Sequence, residues 1–235
     1  MRKFVWLIVF SFFLLAGCVE KSSNLTNDYK VDNAKVFRDS FSIRGKTIPL
    51  PPGDWKIMAS GLDAEKFFVV FLIQEHPGKL FSYIWMSVDS IELERERGYF
   101  AWSEINRKDI HHVVSIKSAP GEEQEGWVVN NCIPEFVSEK TKTVQDAAAY
   151  IKSNGLVISN DIIKVSHFLT GKHPNKKRHL RVDYAYNPAA AGFSPGQKSI
   201  WTTSDWNAVR INADSRKVAY VNELIKKHAI MHQQI

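Results

Sequence analysis

One apolar run, residues 67–73, constrains the fold of this chain more than any other stretch. It is rich in the β-branched and aromatic residues that favour strands. Residues 76–79 supply the turn sequence His-Pro-Gly-Lys, and residues 80–88 return with large apolar side chains in alternation. The pattern predicts a β-hairpin. Because its first strand is apolar on both faces, we expect that strand near the centre of a sheet.

A second hairpin is predicted from residues 161–169 and 179–186, joined by a polar turn over residues 171–177. In the return strand, His179, Arg181 and Asp183 alternate with apolar and aromatic residues, so they are expected on the opposite face. Both predicted turns contain a His-Pro pair. This likeness is open to two interpretations, an internal duplication or the independent use of favoured turn residues. The apolar face of the return strand consists of Leu180, Val182, Tyr184 and Tyr186.

Two helices are predicted from capping residues and periodicity. Thr143 is expected to cap the first helix and Gly155 to end it. The second is expected to begin after Asp214 or Ser215 and to form the C-terminal helix. Strands outnumber helices and are arranged in hairpins, so the predicted fold class is α+β with a mainly antiparallel sheet. The apolar stripe of the last helix is formed by Val218, Val221, Leu224 and Ile225.

The N-terminal residues have the layout of an export signal. Arg2 and Lys3 precede an apolar run over residues 4–15, and residues 14–18 are Leu-Leu-Ala-Gly-Cys. This last sequence resembles the lipobox of bacterial lipoproteins. The resemblance implies that residues 1–17 are a signal peptide, that the chain is cut before Cys18, and that the Cys18 thiol carries the lipid.

The position after the cysteine bears on which membrane holds such a protein. In Gram-negative lipoproteins an Asp there favours the inner membrane, and Val19 permits export to the outer membrane, with the protein facing the periplasm. Two alternatives remain open. One is a secretory signal cut elsewhere, with Cys18 incidental. The other is a transmembrane anchor, which needs about 20 apolar residues, more than the run supplies.

The rest of the chain divides into a tether and a domain. Residues 18–40 are polar with little periodicity and predict a flexible tether, while residues 41–235 are expected to form a single domain. The formal net charge of +6 suits an envelope rich in anionic lipid and glycan, and it does not indicate nucleic acid binding. Cys132 has apolar neighbours and is interpreted as a buried, inert thiol.

The segment from residue 201 to residue 210 is a candidate ligand groove. Two indoles, Trp201 and Trp206, lie near the polar Asp205 and Arg210, and such a set stacks on a sugar or peptide while the polar groups orient it. The alternative is a long loop pinned to the core by its indoles, with Asp205 and Arg210 paired. Residues 187–221 are similar to the C-terminal end of uncharacterised proteobacterial envelope proteins, which brings no activity with it.

The densest basic cluster of the chain lies in the second predicted turn. Its candidate contact residues are Lys172, Lys176, Lys177 and Arg178. A hairpin tip with this charge is suited to lipid phosphates or glycan carboxylates. The alternative is a solvated turn in which lysines keep the chain soluble and protect a sheet edge.

Two histidines, His228 and His232, lie four residues apart, as on a zinc-binding helix. The zincin pattern needs a Glu after the first His as general base, and Ala229 occupies that position. The pair also lies in the last eight residues of the chain, where helices fray. We therefore expect no metal, and no cofactor or catalytic residue is assigned elsewhere.

The chain contains no serine-nucleophile elbow, phosphate-binding loop, dinucleotide fingerprint or paired-cysteine metal motif. These absences favour a binding protein over an enzyme. The sequence therefore predicts a membrane-anchored lipoprotein that binds or supports another envelope component, which is a protein, a glycan or an anionic lipid. The alternative is an envelope hydrolase acting on peptidoglycan or lipid.

Overall fold

The computed structural model describes residues 35–43, 45–63, 67–88, 110–116, 124–132, 134, 141–173, 176–194 and 204–235. The chain divides into two units, Met1–Lys30 and Val31–Ile235. Every described residue belongs to the second unit. Residues 1–17 and most of the predicted tether therefore lie outside the described part. The sheet nevertheless includes Val36 and Phe37, which the sequence placed within the tether.

Eight of the described strands form one antiparallel sheet, and two more form a separate hairpin. The order across the sheet is β1-β4-β5-β6-β10-β9-β8-β7. Among the described strands, β2 pairs only with β3. The bounds are β1 Val36–Phe37, β2 Ser40–Ile43, β3 Lys46–Pro49, β4 Trp55–Leu62, β5 Phe68–Glu75, β6 Phe81–Val88, β7 Ile110–Ile116, β8 Gln124–Cys132, β9 Ile162–His173 and β10 Lys176–Tyr186.

Both predicted hairpins are confirmed. β5 and β6 pair from Phe68 opposite Val88 to Glu75 opposite Phe81. The interior position of β5 in the sheet accounts for its apolar side chains on both faces. β9 and β10 also pair, but their strands are longer than predicted and reach His173 opposite Lys176. Polar residues assigned to the turn thus continue the ladder, because strand pairing depends on backbone groups that every one of them has.

Both predicted helices are present. The first, α1 (Lys142–Ser153), is capped by Thr141, whose Oγ1 accepts from the Val144 amide at 3.4 Å. The prediction of Thr143 as the cap was wrong, because Thr143 already lies inside the helix and is buried. Gly155, with φ of +61°, follows the end of the helix as expected.

The second helix, α2 (Ser215–His232), begins where the sequence predicted. Asp214 caps it by accepting from the amides of Arg216 and Lys217 at 3.0 and 3.3 Å. Among the described residues, no helix combines the length and apolar character needed to cross a bilayer.

The two helices pack on opposite faces of the sheet. Successive residues of a strand point to opposite faces. In β10, Val182 and Tyr184 belong to the core that α2 covers, while Ala185 belongs to the core that α1 covers. Hairpin β2–β3 contributes to the α2 side. The fold is α+β with a mainly antiparallel sheet and a C-terminal helix, as predicted.

Candidate functional site

The candidate groove residues are placed differently from one another. Trp206 is 1 % exposed, and its indole packs edge-on against Phe193 at 4.9 Å and Tyr220 at 5.9 Å between ring centroids. An indole enclosed in this way belongs to the core. Its burial favours the interpretation in which the loop is pinned by its indoles. Trp201 and Cys18, the predicted site of lipid attachment, lie outside the described residues.

Asp205 and Arg210 are both exposed on either side of Trp206. The backbone carbonyl of Asp205 accepts from Lys217 Nζ at 3.3 Å, and the same ammonium lies 5.1 Å from the Trp206 ring centroid. In the part of the chain that the structure describes, no histidine ring hydrogen-bonds the Asp205 carboxylate. A hydrolase built on Asp205 would need a histidine or a second carboxylate within hydrogen-bond reach.

The basic cluster lies on the paired ends of β9 and β10, which we name the basic arm and define as residues 171–179. β8 pairs with β9 as far as Thr170, and β6 pairs with β10 as far as Leu180. Beyond these two residues, β9 and β10 pair only with each other among the described residues. The side chains of Lys172, Lys176, Lys177 and Arg178 lie outside the described part of the chain.

A chain of hydrogen-bonded rings lies between α2 and the sheet. His167 Nδ1 is 3.0 Å from His232 Nδ1, and His167 Nε2 is 2.8 Å from His228 Nδ1. His228 Nε2 is in turn 2.7 Å from the Tyr186 hydroxyl. We name these four residues the histidine chain. They link β9 and β10 to the last turns of α2.

Aromatic rings enclose the centre of the histidine chain. The Trp127 ring lies parallel to the His167 ring at 5.8 Å, and Tyr184 meets the His167 ring edge-on at 5.5 Å. His112 packs on the outer side of Trp127 at 4.7 Å. His167 and His228 are 1 % and 0 % exposed. Both imidazoles are therefore removed from water and depend on each other for hydrogen bonds.

Burial sets the charge state of the histidine chain. Burial is the largest cause of the low pKa of His167, which is about 3, and the neighbouring His232 lowers this pKa further. Asp183 opposes the shift weakly. Burial also lowers the pKa of His228 well below its ordinary value, followed by His167 and Lys227. At neutral pH the two buried imidazoles are uncharged.

A small cavity adjoins the outer end of the histidine chain. Its volume of about 20 Å³ is room for one water. The two ends of the histidine chain, His232 and Tyr186, are both half-buried, and His232 lies at this cavity. The histidine chain thus connects a water-sized space at His232 to the Tyr186 hydroxyl. The cavity is lined by His167, Phe168, Leu169, Leu180, His232 and Ile235.

An ionic cluster occupies the opposite face of the same strands. Arg181 donates from Nε and Nη2 to the two oxygens of Asp183 at 3.0 and 2.8 Å, and Lys164 Nζ lies 3.5 Å away. Burial raises the pKa of the Asp183 carboxyl, but the charges of Arg181 and Lys164 outweigh it and hold the pKa below its ordinary value. The ionised cluster joins β9 to β10, and its Arg181 guanidinium stacks over Trp85.

The histidine chain was not predicted from the sequence. His228 and His232 were noticed, but they were expected at a fraying end, and His167 is remote in sequence. One signal was available, because the stripe Val221, Leu224, His228 puts an imidazole at a core position of the helix. Among the described residues, no group of three or more histidine, cysteine or acidic side chains is arranged to hold a metal ion.

No protein-family model, no curated protein and no solved structure matches the chain. We therefore infer its function from its own residues and geometry.

Proposed function

We propose that this protein is a lipid-anchored component of the bacterial envelope, attached through Cys18, and that its basic arm binds the phosphate groups of anionic lipids. The lipobox supports the anchor. The arm supports the contact, because it carries the densest positive charge of the chain at the paired ends of β9 and β10.

The register of the basic arm is the observation that carries the proposal. Lys177 lies directly opposite Lys172, and Lys176 lies directly opposite His173. Like charges at opposed positions destabilise an antiparallel pair. A bound phosphate offsets this repulsion between Lys172 and Lys177. The arm is thus better suited to an anionic surface than to water alone.

The anchor makes a lipid surface the favoured source of those phosphates. Because a tether holds the domain near its own membrane, the contact becomes an intramolecular event. The effective concentration of lipid phosphates at the basic arm is then high. Each lysine or arginine near an anionic membrane surface contributes about 1 kcal/mol. A few such cations therefore suffice to hold the arm against the membrane.

The test compares two triple variants of the domain without its lipid. Lys176, Lys177 and Arg178 are changed to Ser in one variant. The control changes Lys35, Lys152 and Lys226 to Ser, which removes the same charge from exposed positions outside the arm. Sedimentation with phosphatidylglycerol–phosphatidylcholine vesicles measures binding, with pure phosphatidylcholine vesicles as the neutral reference.

The arm variant is expected to bind the anionic vesicles about a hundredfold more weakly, from about 1 kcal/mol per cation. The control should bind like the wild type, and salt should weaken wild-type binding because exposed charges are screened. Equal losses of vesicle binding in both triple variants would mean that binding depends only on the net charge of the protein. That result would contradict the assignment of the contact to the basic arm. If the protein bound carboxylated glycan but not these vesicles, the ligand of the basic arm would be a glycan and not a lipid.

A further inference from the structure

The histidine chain is the polar connection between the second half of α2 and the sheet. Three side-chain hydrogen bonds between described residues join this half of the helix to β9 and β10, and each of them involves His228 or His232. The remaining contacts of the stripe are apolar, from Val221, Leu224 and Met231. Any change in the protonation of the chain therefore acts directly on helix docking.

When all three imidazoles are neutral, the histidine chain has enough N–H and O–H donors to make each of its three hydrogen bonds. Each neutral imidazole has one N–H and one bare nitrogen, and Tyr186 has one O–H. Donation in one direction, from Tyr186 through His228 and His167 to His232, makes all three bonds. Donation in the opposite direction makes them equally well. All three bonds of the histidine chain are therefore made when no imidazole is charged.

One added proton leaves the bonds intact, and a second does not. A single imidazolium, on any of the three histidines, donates to its neighbours while they turn their bare nitrogens toward it. With two imidazolium ions, at least one N–H points at another N–H and a bond is lost. The rings of His167 are also only 5.0 and 5.1 Å from those of His228 and His232, so two charges repel strongly.

The groups around the chain oppose the charge more than they favour it. From α2, the Lys227 ammonium lies 5.8 Å from the Tyr186 ring centroid and disfavours a charge on His228. From the sheet, Asp183 on the far face favours a charge on His167, but less than burial and His232 disfavour it. Among the described residues, other titratable groups near the histidine chain are Tyr184, Tyr186, Tyr220, which acts on Tyr186, and His112, which packs on Trp127.

We propose that the histidine chain is an acid-sensitive latch, which holds the second half of α2 on the sheet at neutral pH and releases it when protons enter from the His232 end. The half-buried His232 and the water-sized cavity beside it give protons a route from solvent. Release uncovers the aromatic face of the sheet around Trp127 and Tyr184. The ionic cluster and α1 lie on the other face and are not disturbed.

The direction of the pH dependence follows from linkage. An imidazole on a released helix or uncovered sheet titrates near pH 6.5, whereas docked His167 has a pKa of about 3. Docking is unaffected above pH 6.5, because neither state binds the proton. Between pH 6.5 and pH 3 only the released state binds the proton, so docking weakens as the pH falls through this range. At pH 4.5 one such group favours release by about a hundredfold.

Hydrogen exchange of the full-length protein at pH 7.0 and pH 4.5, corrected for intrinsic rates, tests the latch. We expect the amides from Leu224 to His232 to lose protection at least tenfold, while those of β5 and β6 keep theirs. Equal loss in both regions would mean global unfolding and would overturn the proposal. Unchanged protection of α2 at pH 4.5 would overturn it as well.

A double variant, His167→Phe with His228→Leu, removes the two buried imidazoles together. In this variant the protection of α2 should no longer depend on pH. The control is His76→Gln, because His76 also has a pKa lowered by burial but bonds to Ser82 at the β5–β6 turn. The control should keep the wild-type response. A pH response that survives the double variant, or is lost in the control, contradicts the latch.

Discussion

At the scale of single residues, Trp206 is the position that best distinguishes the two interpretations of segment 201–210, a ligand groove and a pinned loop. Its indole lies within a cluster of rings formed with Phe193 and Tyr220. The residue types of segment 201–210 suit a groove and a pinned loop alike. Only packing against Phe193 and Tyr220, which come from other parts of the chain, separates them.

Replacing Trp206 by Ala is expected to lower the free energy of unfolding by about 3–5 kcal/mol, because the change leaves a large cavity among the packed rings. Urea denaturation followed by circular dichroism measures the loss. The matched control is Val209→Ala in the same segment, where the side chain is 68 % exposed and the change should stay within about 0.5 kcal/mol. A stable Trp206→Ala protein would show that the indole is not part of the core.

His228 marks the limit of residue-level prediction. Its position in the apolar stripe of α2 is visible in the sequence, and the stripe itself is confirmed. Its partners, His167 and Tyr186, lie 61 and 42 residues away. Nothing local encodes that the three rings meet, so the histidine chain became visible only with the tertiary structure.

At the scale of elements, local chemistry predicted most of what the structure contains. The β5–β6 hairpin follows from two apolar runs joined by a Pro-Gly turn, and α2 follows from its Asp214 cap and stripe. The errors are also local. Thr141 and Thr143 are equally good caps by composition, and the extended backbone of Thr141 decides between them. The length of β9 and β10 was underestimated, because polar residues also form long ribbons.

The basic arm is an element whose removal should leave the rest of the fold in place. Replacing residues 172–177 by Asn-Gly joins Gly171 to Arg178, which are already cross-strand partners, through a favoured two-residue turn. We expect the free energy of unfolding to change by less than about 1 kcal/mol, since the arm pairs only with itself among the described residues. Urea denaturation measures this.

The same shortened protein should lose its affinity for anionic vesicles. A loss of several kcal/mol of stability would instead mean that the arm is part of the folded core. If the shortened protein still bound vesicles fully, the membrane contact would lie on another surface of the protein. The two measurements on one variant thus separate a structural ribbon from a binding ribbon.

At the scale of the whole molecule, the sequence predicted the fold class but not the strand order. Hairpins predict which strands pair when they are adjacent in sequence. The pairing of β10 with β6, and of β8 with β9, joins strands that are far apart in the chain. These long-range pairs place the basic arm at one end of the sheet and bring His167 under α2. No turn or periodicity in the sequence specifies them.

The central claim for the whole molecule is that it is tethered to a membrane by lipid on Cys18. Intact-mass analysis of the protein purified from its own membranes tests this claim most directly. The account predicts a mature chain that begins at Cys18 and carries the mass of covalently bound acyl chains, and a Cys18→Ser variant that stays uncleaved or without acyl mass. An unmodified chain that begins downstream of Cys18 would contradict it.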